Sequence, residues 1–141
     1  MKYLVDDCKI IQLDKIESIN GSLTVLENNL NINFDINRIY YLYDIPGGES
    51  RGAHAHKELE QIVVAASGSF TIILDDGKSK KEYTLNRPNL GLNIKPGIWR
   101  DINNFSSGAI CLVLASLKYA ESDYIRDYNN FIKFKIDSNG Y

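Results

Sequence analysis

The chain of 141 residues is poor in the features that most often advertise a compartment or a site. It has two cysteines, Cys8 and Cys111, too far apart for a CxxC pair, so neither a zinc knuckle nor a disulfide framework is indicated. Both read as reduced thiols packed as small hydrophobes, which points to the cytoplasm. A net charge of −2 and a pI near 5.7 argue against nucleic-acid binding, which needs a basic surface. Lys and Arg are spread along the chain, so no polybasic tail points to a membrane surface. The longest apolar run, 109–115, is far short of a membrane span. Asp6 and Asp7 stand where a signal peptide needs apolar residues. Repeats, linkers and low-complexity segments are missing too, so the reading is one domain over 1–141.

What is present is mostly alternation at period two, the mark of half-buried strands. Strands are predicted over 22–27, 38–45, 61–66, 70–75, 81–85, 90–95, 98–101 and 109–117. Gly and Pro punctuate them at Pro46-Gly47-Gly48, Gly68, Gly77, Pro88 and Pro96-Gly97. Short strands broken this often indicate an all-β barrel or sandwich. One helix is predicted, over 121–131, with Ser122 as cap and Tyr124, Ile125, Tyr128 and Phe131 as its apolar stripe.

Histidine occurs only twice, as His54 and His56. In an extended segment these positions share one face, about 7 Å apart along the backbone. Imidazole exchanges protons near neutrality, so the pair suits acid/base work on adjacent atoms of one substrate. The same spacing suits joint ligation of a metal.

Gly48, five residues, His54-Ala55-His56, three residues, Glu60 and then Gly68 resemble the first motif of the cupin superfamily. Gly91, four residues, Pro96-Gly97 and then Trp99-Arg100 resemble the second. Metal-binding cupins carry a histidine near the end of that second motif, where this chain has Arg100. A guanidinium has no acceptor and stays charged, so it cannot be the fourth ligand. Three-ligand sites exist, so a metal-dependent cupin using His54, His56 and Glu60 is the first alternative. The longer runs 46–57, 59–61, 74–77 and 123–126 resemble the dTDP-4-oxo-6-deoxyglucose 3,4-ketoisomerases, which are metal-independent cupins.

That resemblance implies a jelly-roll β-barrel that dimerises, with an N-terminal strand within 1–13 passing to the partner. It implies a dTDP-linked 4-keto-6-deoxyhexose as substrate, with neither metal nor other cofactor. The carbonyl moves from C4 to C3 through an enediol, on a route to 3-amino-3,6-dideoxyhexoses of surface glycans such as lipopolysaccharide O-antigen or S-layer. His56 is the implied base at C3, and His54 the acid/base serving the oxygens or C4. Arg100 reads either as the cation that stabilises the enediolate or as a surface arginine. Arg51 reads as a diphosphate partner if Gly52 bulges the strand, or as an ion-pair partner of Glu49 or Glu58. Tyr41 is a candidate to stack on the ligand and Asn20 to contact the sugar. A 3,5-epimerase of the same nucleotide sugar and a non-catalytic sugar-binding cupin complete the alternatives.

Overall fold

The computed structural model describes residues 3–139; the ends of the expected domain, 1–2 and 140–141, lie outside the described residues. The chain runs β1 (Lys9–Gln12), β2 (Ile16–Ser18), β3 (Gly21–Leu23), β4 (Arg38–Leu42), β5 (Arg51–His56) and β6 (Gln61–Ser67). There follow β7 (Phe70–Asp75), β8 (Lys80–Leu85), β9 (Leu90–Ile94), β10 (Trp99–Asn103), β11 (Ile110–Ala115), β12 (Tyr124–Ile125) and α1 (Tyr128–Asn139). Two five-stranded sheets form, in the orders β1-β9-β6-β11-β4 and β12-β5-β10-β7-β8, while β2 and β3 make a separate hairpin. All strand pairs are antiparallel, so each strand has one face to bury.

Alternation decides which face. Val63, Leu92, Ile94 and Val113 of the first sheet meet Phe70, Ile72, Leu74, Leu85 and Ile102 of the second. Burying each such side chain contributes about 1.5–3 kcal/mol, so this layer dominates the fold's stability. The outer face of the first sheet packs Ile62 and Val64 beneath Leu26, Ile32, Phe34 and Ile36. The outer face of the second packs Ala55 and Trp99 against Ile125 and Phe131. The expected all-β jelly roll with a short C-terminal helix is thus the fold observed, built as two facing sheets.

Two expectations change. The helix spans Tyr128–Asn139, not 121–131. Residues 121–123 make one 3-10 turn, and Tyr124 and Ile125 pair with His56 and Ala55 as an edge strand. Asp127, whose carboxylate accepts from the Asn130 N–H, caps the true start. The strand expected at 22–27 is displaced into the hairpin β2–β3. Within the chain, Lys9–Gln12 pairs antiparallel with β9 at the edge of the first sheet.

Candidate active site

β5 is bent just before its two histidines. Gly52 and Ala53 both have positive φ, 88° and 56°. Across the strand pair, Arg100 faces His54 but Asp101 faces Gly52, which leaves Ala53 as the inserted residue of a β-bulge. Gly52 is required there, because a Cβ would stand 3.0 Å from the Arg100 carbonyl oxygen. A regular strand would send Arg51 and His54 to opposite faces; the bulge brings both onto one cavity of about 360 Å³. β4 adds Arg38, Tyr40 and Leu42, β6 adds Gln61 and Val63, and β10 adds Arg100. Tyr119, Tyr124 and Arg126 close the rim.

Arg100 forms the floor and is 2% exposed, which removes the surface-arginine reading. One end of its guanidinium donates to the Gln61 side-chain oxygen and the other to the Ile98 carbonyl at 2.9 Å. Its Nε has no partner. Gln61 in turn donates to the Tyr40 hydroxyl at 3.0 Å. Both contacts of the guanidinium are therefore neutral, and among the described residues no carboxylate lies within ion-pair distance of it. A buried cation left in this state is poised for an anion.

Beside it, the imidazoles of His54 and His56 meet edge to face, with centroids 4.9 Å apart. His54 borders the cavity; His56 lies behind, wholly buried against Tyr124 at 4.3 Å. Nδ1 of His54 is 3.1 Å from the Gly52 carbonyl, and Nδ1 of His56 is 3.0 Å from Oδ2 of Asp123. Neither Nε2 has a protein partner. Burial, followed by the Arg100 charge, lowers His54 to about 4. The same two causes lower His56 further, and they outweigh the carboxylate of Asp123. Both rings are neutral at pH 7, each offering an Nε2 lone pair when Nδ1 carries the proton.

With this geometry in place, comparison with known proteins is direct. The FdtA family model (WxcM-like, C-terminal) matches residues 6–136. The chain belongs to the FdtA family. A TDP-4-oxo-6-deoxy-alpha-D-glucose-3,4-oxoisomerase of Aneurinibacillus thermoaerophilus is 48% identical over 126 residues, 89% of this chain and 91% of the relative. The crystal structure of a 3,4-ketoisomerase from Helicobacter canadensis superimposes with a TM-score of 0.89 at 50% identity, covering 92% of this chain and 97% of that one. A histidine-to-asparagine mutant of a 3,4-ketoisomerase from Thermoanaerobacterium thermosaccharolyticum, in complex with TDP-4-keto-6-deoxyglucose, gives 0.90 at 37% identity, covering 92% and 94%.

Of the residues singled out from the sequence, this FdtA-family chain brings Arg51, His54 and Arg100 to the cavity and His56 directly behind it. Tyr41 is not among them. It is 59% exposed on the outer face of β4 beside Tyr43, because the inward register belongs to Arg38, Tyr40 and Leu42. Asn20 sits in the exposed β2–β3 turn, away from the cavity of its own chain. Glu60 does not join the histidines either. Four residues beyond His56 the chain has crossed to the first sheet, where Glu60 accepts from Lys95 at 2.9 Å, Asn93 at 3.0 Å and Asn33 at 3.2 Å. Among the described residues, no three His, Cys, Asp or Glu side chains converge on a cation position.

Sequence reasoning missed Arg38, Tyr40 and Asp123. Arg38 leaves Nε and Nη2 buried and unpartnered while stacking on Tyr40 and Tyr119, 5.1 and 5.5 Å from their ring centres. The first two share one face of β4, and the structure selects that face as the inward one.

Proposed function

We propose that this chain is an isomerase that converts TDP-4-keto-6-deoxyglucose to its 3-keto isomer. The observation that carries the reading is the pairing of two neutral imidazoles, each with a free Nε2, with a buried arginine that no carboxylate among the described residues pairs with. The C3 proton passes to an imidazole, and the electrons of the C3–H bond form the C3–C4 double bond as the C4 carbonyl oxygen becomes an enediolate. Protonation of that oxygen, loss of the O3 proton and return of a proton to C4 complete the isomerisation with no net oxidation. Arg100 repels an imidazolium but attracts the enediolate oxygen formed in the same step, so the two effects offset. Arg51 at the rim and Arg38 with its unpartnered nitrogens are the partners for the diphosphate.

Because His54 borders the cavity and His56 lies behind it, we assign the C3 proton to His54. This reverses the division implied by resemblance. His56 takes the second transfer, at the oxygens or C4. Isomerisation in deuterated water, followed by NMR, tests the assignment. His54→Asn should lose exchange at C3 and fall about 10²–10⁴-fold in turnover, the usual contribution of a general base. His56→Asn should keep residual exchange at C3 while losing product. Near wild-type turnover in both variants would remove the acid/base reading.

The same reading makes the chain a homodimer, its contact supplied by apolar side chains left exposed: Ile39 and Tyr41 on β4, and Ile16 and Leu23 on the hairpin. Sedimentation as a monomer at micromolar concentration would exclude it. No helix among the described residues is long and apolar enough to cross a membrane. A cytoplasmic site of action, where nucleotide sugars are made, fits the two buried free thiols. The 3-keto product is suited to an aminotransferase that makes 3-amino-3,6-dideoxyhexoses for surface glycans.

A further inference from the structure

Asp123 stands 67 residues from His56 in sequence and touches its ring. Its two carboxylate oxygens have separate duties. Oδ1 accepts the backbone N–H of Glu58 at 2.8 Å, and Oδ2 accepts from Nδ1 of His56 at 3.0 Å. The Asp123 carbonyl accepts the Lys57 N–H at 2.9 Å, so the backbone after β5 and the carboxylate are clamped as one unit. The carboxylate also borders a second cavity, of about 750 Å³, that shares no lining residue with the first. The Asp123 side chain is 10% exposed, whereas the His56 side chain is wholly buried.

We infer that Asp123 is a positioning residue: it holds His56 in the Nδ1–H tautomer and so reserves the Nε2 lone pair for proton transfer. A carboxylate only accepts, so the ring nitrogen facing it must carry the proton. Without that partner an imidazole is free to place its proton on either nitrogen, and one choice blocks the lone pair. The catalytic consequence rests on the role proposed above for His56; the tautomer does not.

Asp123→Asn separates the two. Its single amide oxygen cannot serve both the Glu58 N–H and the His56 Nδ1–H. Keeping the backbone contact turns the NH2 toward the ring, where it donates to Nδ1 and moves the proton to Nε2. Long-range proton–nitrogen NMR of uniformly labelled protein reads this cleanly, because the chain has only two histidines. His54→Asn, which leaves His56 alone in the spectrum, assigns the signals.

In the wild-type protein His56 should show a protonated Nδ1 and a bare Nε2. In Asp123→Asn it should switch, with His54 unchanged, while kcat falls about 10²–10⁴-fold and KM moves by less than about threefold. A wild-type His56 protonated on Nε2 overturns the inference, and this measurement needs no variant that might fail to fold. An unchanged His56 tautomer in folded Asp123→Asn overturns it as well. A switched tautomer with undiminished kcat would sink the proposed role of His56 and leave the tautomer assignment standing.

Discussion

Two arginines border the same cavity and are held in opposite ways. Arg126, at the rim, is half-exposed and salt-bridged to Glu121 at 2.7 and 3.0 Å, with its guanidinium 4.1 Å from the Tyr124 ring centre. Arg100, on the floor, is buried and touches only a neutral amide and a carbonyl. The rim cation is already satisfied, and water and salt screen whatever it adds. The floor cation bears the full cost of desolvation, which pushes its pKa down, and recovers that cost when negative charge develops nearby. Burial without a counter-ion, rather than charge alone, separates the group suited to an enediolate from one that tidies the entrance.

The strongest way to break this contrast is Arg100→Met, which keeps much of the volume and removes the charge. Turnover should fall about 10²–10³-fold, the usual loss for an oxyanion donor, with a much smaller change in TDP affinity. A kcat within about threefold of wild type, with the fold checked by circular dichroism, would put Arg100 back among structural residues.

A second effect comes from the imidazoles that share the floor's low-dielectric surroundings. The folded pKa of His54 is about 4, below the ordinary 6.5, and His56 is lower still. Between those values the unfolded chain binds protons that the folded chain refuses, so stability rises with pH across the window. The contribution is complete above about 6.5 and is lost as pH falls toward and through 4. Urea midpoints should therefore decline from pH 7 to pH 5, and the double variant His54→Asn/His56→Asn should show a flatter profile. Equal slopes in both proteins would contradict the depressed histidines.

The smallest expected effect sharpens the rim side. Glu121→Gln frees Arg126, and TDP affinity should shift by less than about threefold, by an amount that shrinks with added salt. Isothermal titration at two ionic strengths checks it, and a tenfold change that salt does not touch would mean the rim is not screened.

Local pattern made the histidine pair and most strands legible, because alternation and turn residues act over a few positions. The bulge was half legible: Gly52 marked the place, and with it Arg51 as a cavity residue. Tyr41 went wrong because β4 carries tyrosine on both faces, so composition could not say which register points inward. The alternative that joined Glu60 to the histidines rested on motif spacing, which says nothing of a chain crossing between sheets within four residues. The helix slipped because Tyr124 and Ile125 complete an apolar stripe on paper, yet satisfy their backbone on β5. Asp123 was invisible as a partner of His56, since a contact between distant positions leaves no local trace.

The bulge at Gly52 and Ala53 also bears on engineering. Six consecutive residues of β5 carry a cavity-lining arginine and both histidines, and a single residue across the sheet, Arg100, supplies the buried cation. Such a unit is compact enough to graft onto another jelly-roll scaffold. A transplant that copied the side chains onto a regular strand would send Arg51 to the wrong face. What must travel with the histidines is the extra residue in the backbone, and a glycine opposite the arginine carbonyl to permit it.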